Sequence, residues 1–85
     1  MGNLVVMALK EINRTINWID QEIRRQETGT PNEFAGKMSM SVRMLFFYLD
    51  MMRNLGADIT YCKRRMTFEY AKTGHFINGT KWVED

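Results

Sequence analysis

Apolar residues recur at helical spacing along the first third of the chain. Leu9, Ile12, Ile16, Ile19 and Ile23 are separated by three, four, three and four positions, and Val5 extends the stripe backwards. Arg14, Asn17, Asp20, Gln21, Arg24 and Arg25 fall off the stripe, on the solvent side. The pattern predicts a helix over 4–27, with Gly29 as its natural C-cap. Thr30, Pro31 and Glu33 then make a capping box with proline at the first helical position. A short helix over 31–38 follows, with Phe34, Ala35 and Met38 as its apolar face. Ser41 is the N-cap of a third helix over 41–54, closed by Leu55 and Gly56, the glycine being free to take a positive φ.

After Asp58 the period drops to two. Ile59 and Tyr61 alternate, then Met66, Phe68 and Tyr70, with Cys62, Lys63, Arg64 and Arg65 between the two runs. This predicts an antiparallel hairpin over 58–70 with a basic tip. The remaining residues, 71–85, form a tail that Phe76 and Trp82 would pack on the domain or on a partner. The predicted fold is mainly α with a small β-hairpin, as one domain over 1–70 plus the tail.

Composition narrows the function. At 85 residues and 45% hydrophobic content the chain can bury one small core. A single cysteine, Cys62, excludes an internal disulfide and fits a reducing compartment. The start MGNLVVMALKE has no basic leader and no run long enough to span a bilayer, so a cytoplasmic protein without membrane contact is expected. Val6 stands where a myristoylation signal needs Ser or Thr, and sequons at Asn13 and Asn78 carry no meaning without export. Net charge is only +2, but its distribution is uneven. Residues 1–40 and 71–85 are balanced, while 41–70 holds five basic against three acidic residues, among them the consecutive Lys63, Arg64 and Arg65.

Enzymatic signatures are missing. His75 and Cys62 are the only residues of their types, too few for a Cys/His metal site, and nothing sets a base beside the thiol. Asp20 and Glu22 fall on different helix faces, and the six glycines form no phosphate loop. No catalysis, cofactor, metal or small-molecule substrate is expected. Eight methionines read as adaptable core filler or as a soft partner surface.

The run TPNEFAGKMSMSVRMLFFYLDMMRNLGADITYCKRRMTFEY resembles the winged helix-turn-helix domains of bacterial transcription regulators, above all small stand-alone versions from Bacteroidetes-type bacteria. The resemblance covers about residues 9–70 and rests on Ala35, Ser41, Leu45, Leu49, Leu55-Gly56, Ile59-Thr60-Tyr61 and the Lys63-Arg64-Arg65 tip. It implies three helices plus a two-stranded wing and sequence-dependent binding of duplex DNA. Helix 41–54 would enter the major groove, and the tip would touch the backbone or minor groove. Ser39 stands at a turn position commonly glycine in this family. Val42, Met44, Phe46 and Phe47 stand where polar or basic side chains are usual.

Helix periodicity sorts the third helix into two faces. Leu45, Tyr48, Met52 and Leu55 point inward, with Met44, Leu49 and Met51 at the margins. Arg43, Phe46, Phe47, Asp50 and Asn54 face the other way, with Val42 and Arg53 at the edge. Three accounts of the phenylalanines stay open at this level. They contact thymine methyls while Arg43 takes a guanine edge or a phosphate; they form a protein contact; or the tail covers them. The residues expected at DNA are therefore Ser41, Val42, Arg43, Phe46 and Phe47 from the helix, and Lys63, Arg64 and Arg65 from the wing. Thr30, Arg24 and Arg25 are further candidates for phosphate. Many helix-turn-helix readers act as dimers, and the first helix, the phenylalanine face or the tail would supply that interface. The rival reading is a winged-helix protein-interaction module that uses Phe46 and Phe47 and binds no DNA.

Overall fold

The computed structural model describes residues 2–77 and 81–85, with side chains from residue 8 onward. It contains three helices and two antiparallel strand pairs: α1 (Gly2–Arg25), α2 (Pro31–Lys37), α3 (Val42–Asn54), β1 (Ile59–Cys62), β2 (Thr67–Tyr70), β3 (Gly74–Ile77) and β4 (Lys81–Glu84). The tail over 71–85, expected only to pack on the domain or a partner, forms a second strand pair, β3 and β4. None of the helices, over the described residues, is long and apolar enough to cross a membrane.

The stripe on α1 is buried at Ile16, Ile19 and Ile23, half-buried at Ile12 and lost by Leu9, which is 55% exposed. The helix outruns the core, so Leu9 does not join it; Val5 lies outside the described side chains. The helix also stops earlier than Gly29 suggests. Gln26 takes a φ of 56°, and the chain leaves the helix there. The cause is tertiary. Thr28, fully buried, accepts from Phe68 N–H at 2.9 Å, and its own N–H donates to Thr67 Oγ1 at 3.2 Å. Continuing the helix to Glu27 would carry Thr28 away from β2.

The capping box forms as predicted. Thr30 Oγ1 accepts from Glu33 N–H, and Glu33 Oε1 accepts from Thr30 N–H. The Thr30 bonds also hold the Glu33 carboxyl below its ordinary pKa. α2 ends one residue earlier than predicted, at Lys37, with Met38 as its cap. The chain then turns through Ser39, whose φ of 56° is the left-handed conformation that glycine adopts without steric cost. Ser41 caps α3 by accepting from Met44 N–H at 3.0 Å.

One core joins all the layers. α1 gives Ile16, Ile19 and Ile23; α2 gives Phe34, Ala35 and Met38; α3 gives Leu45, Leu49 and Met52. Ala57, Ile59, Phe68 and Trp82 close it from the strand side. β1 and β2 pair from Ile59↔Tyr70 to Cys62↔Thr67, so the turn is Lys63 to Met66. Met66 was expected on the alternating apolar face; with a φ of 52° it sits in the turn, exposed. Cys62 is the last residue of β1 and half-buried, as expected of a strand residue.

The second pair runs from Gly74↔Glu84 to Ile77↔Lys81 and docks where α1 and α3 both end. Trp82 N–H donates to Leu55 O at 2.8 Å, and the indole lies between Tyr70 and Phe76, with centroid distances of 4.5 and 4.9 Å. Arg24 Nη2 donates to Gly74 O at 2.7 Å and its guanidinium lies over the Tyr70 and Trp82 rings. Asp20, assigned to the wet side by periodicity, accepts from Tyr70 Oη at 2.5 Å and from Arg24 Nε at 3.1 Å. Burial, then the bond to Asp20, raises the Tyr70 pKa and keeps its hydroxyl a donor.

Candidate nucleic-acid interface

α3 lies between the core and an open face. Leu45, Leu49 and Met52 are buried, with Tyr48, Met51 and Leu55 partly so. Arg43, Asp50 and Asn54 are exposed, as the helical period requires. Met44, placed at the core margin by sequence, is 46% exposed and belongs to the outer face. Val42 is half-buried against the core.

The two phenylalanines take different roles. Phe46, 38% exposed, leans edge-on against Phe68 of β2 at 6.4 Å. Phe47 is 60% exposed and meets only Tyr48 edge-on among the described rings, at 6.1 Å. The tail covers neither: Trp82 lies against Tyr70 and Phe76 instead. That removes the account in which the tail buries Phe46 and Phe47, because the tail's aromatic surface is spent on Tyr70, Leu55 and Arg24.

The β1–β2 pair packs on α1 through β2 and meets α3 at two places. Arg53 Nε and Nη2 donate to Ile59 O at 3.2 and 3.0 Å near the helix's C-terminal end, while Phe68 meets Phe46 nearer its N-terminal end. These two contacts set Ile59 near the C-terminal end of α3 and Phe68 near its N-terminal half.

Ion pairing divides the cations. Arg24 is committed to Asp20 and Gly74 rather than held for a phosphate, and Arg25 lies 3.5 Å from Glu22. Arg53 pairs with Asp50, and Arg65 with Glu69. Arg65 also faces the Cys62 thiol, and its backbone N–H, then its guanidinium, lower that thiol's pKa. Among the described residues, Arg43, Lys63 and Arg64 have neither an ion pair nor a hydrogen-bond partner; Lys10 and Lys81, on α1 and β4, are likewise unpaired. The Thr30 hydroxyl accepts from Glu33 N–H and that of Ser41 from Met44 N–H.

A shallow hollow of about 210 Å³ opens at the first turn of α3, lined by Ser41, Arg43, Met44 and Phe47. Sequence reasoning missed Met44 in it, although the i, i+3 spacing to Phe47 was the available signal. No group of three or more His, Cys, Asp or Glu among the described residues could hold a metal ion. Comparison of the chain with protein-family models, curated proteins and solved structures finds no match.

Proposed function

We propose that this chain is a winged helix-turn-helix protein that binds duplex DNA in a sequence-dependent way, as a small non-enzymatic transcriptional regulator of the cytoplasm. In this reading α2, the Ser39 turn and α3 are the helix-turn-helix, α3 enters the major groove, and the β1–β2 pair is the wing. Arg43 reads a base edge. Lys63 and Arg64 grip the sugar-phosphate backbone, and Arg65 stands beside them with its charge shared with Glu69.

The observation that carries the reading is the division of cations. Arg14, Arg24, Arg25 and Arg53 are drawn into pairs. Three of the five cations with neither an ion pair nor a hydrogen-bond partner among the described residues, Arg43, Lys63 and Arg64, stand on the open face of α3 and the wing tip. A phosphate backbone supplies the missing charge. The test is Arg43→Ala in a binding titration. Affinity for a preferred sequence falls about 5- to 140-fold, corresponding to the roughly 1–3 kcal/mol of a good base contact, while unrelated duplexes change little. Equal loss on every sequence would reduce Arg43 to a phosphate contact.

The exposure of Phe47, Met44 and Phe46 on one helix favours a second reading, a protein-interaction module. It requires a complex, seen by light scattering, that dissociates when Phe46→Ser and Phe47→Ser are combined and that forms without DNA.

A further inference from the structure

We propose that the hollow at the first turn of α3 seats the 5-methyl group of a pyrimidine lying next to a guanine in the major groove. This inference rests on the DNA-binding reading above and names the chemistry that the helix would select.

The lining supports a methyl. Ser41 turns one hydroxyl lone pair to Met44 N–H, and beside it the lining is the Met44 thioether, the Phe47 ring and the stem of Arg43. The cavity of about 210 Å³ is smaller than the roughly 300–1,000 Å³ of a small-molecule site. It admits the edge of one base. In the major groove the one apolar feature on a base edge is the 5-methyl group, carried by thymine and equally by 5-methylcytosine.

Position supports the neighbouring guanine. Helix-turn-helix readers meet bases with the N-terminal residues of the recognition helix, where Arg43, Met44 and Phe47 lie. Arg43 and Phe47 are i, i+4 neighbours, about 5–6 Å apart at their Cβ atoms, and stacked base pairs are about 3.4 Å apart. An arginine on guanine O6 and N7 thus leaves Phe47 over the adjacent pair. Phe46 is excluded from this role by its seat against Phe68. The unpaired guanidinium beside the hollow favours DNA over an apolar protein segment, which would leave Arg43 to be buried without a counter-charge.

The experiment begins with selection from randomised duplexes, followed by methyl editing of the selected site and binding by fluorescence anisotropy. Replacing one dT beside a dG by dU weakens binding about fourfold, the worth of roughly one buried methyl. Phe47→Ala, which alters an exposed side chain, binds the dT and dU duplexes equally. If the selected base is dC, adding its 5-methyl group strengthens binding by a similar factor and identifies 5-methylcytosine as the source. Duplex binding that is indifferent to every such edit, or a methyl effect that survives Phe47→Ala, overturns this inference and leaves the DNA reading standing. No binding to any duplex at low salt overturns both, and the hollow would then belong to a protein interface.

Discussion

Phe68→Ala is expected to lower the stability of this domain by about 3–5 kcal/mol, the range for removing a large aromatic side chain from a core. Phe68 is 1% exposed and joins three elements at once. Its ring meets Tyr61 of β1 at 4.9 Å, Phe34 of α2 at 5.8 Å and Phe46 of α3 at 6.4 Å. Each aromatic pair contributes about 0.5–1.5 kcal/mol beyond its buried area. The effect is large because a domain of this size has only about 5–15 kcal/mol in total. The thermal midpoint should fall by at least roughly 12 °C. Phe47→Ala, on the exposed face of α3, should stay within about 0.5 kcal/mol of the parent. A loss under about 1 kcal/mol for Phe68→Ala would mean that this ring does not hold the strand pair to the helices.

Gly74→Ala comes second, at about 3 kcal/mol, the upper end for overpacking. A Cβ at Gly74 would lie 2.5 Å from Trp82 Cε2 and 2.5 Å from Val83 O. Neither neighbour can easily give way. The indole is held between Tyr70 and Phe76, and its backbone N–H is bonded to Leu55 O. Val83 O belongs to the paired strand itself. Any shift of Gly74 also disturbs its carbonyl, which Arg24 holds at 2.7 Å. Gly36→Ala is the control: nothing lies within 4 Å of a Cβ there, and a helical glycine costs about 0.5–1 kcal/mol relative to alanine. Denaturant midpoints should move in opposite directions for the two variants. If Gly74→Ala unfolds at the parent's midpoint, the second strand pair does not contribute to the cooperative fold.

The elements specified by neighbours in sequence were legible from it. The Thr30 capping box, the Ser41 cap and the turn at Gly56 each depend on contacts within four residues, and each forms. The first hairpin was legible because Ile59 and Tyr61, then Phe68 and Tyr70, alternate within two separate short runs, which the register sets opposite each other. Features decided at long range were not. The end of α1 depends on Thr28 meeting Thr67, thirty-nine positions away. The inward role of Asp20 depends on Tyr70, fifty positions away, which a helical wheel cannot register. Gly74 looked like one more scattered glycine until Trp82 folded over it.

The candidate site divides in the same way. Periodicity set Arg43, Phe46 and Phe47 on the face away from the core. Only the strand pair packed beside α3 distinguishes the two phenylalanines, by taking Phe46 onto Phe68. The charge run at 63–65 was visible as sequence, but its division into two unpaired cations and one paired with Glu69 needed the register of β2.

The most direct test of the central claim is the salt dependence of duplex binding, measured by fluorescence anisotropy for the parent protein and for the Lys63→Ala, Arg64→Ala double variant. The account predicts that the parent binds duplex DNA and loses affinity steeply as salt rises. It predicts that the double variant has a log–log slope shallower by about 1.8, or about 0.9 for each lost phosphate contact. A parent protein that binds no duplex at low salt, or a double variant with an unchanged slope, would contradict it.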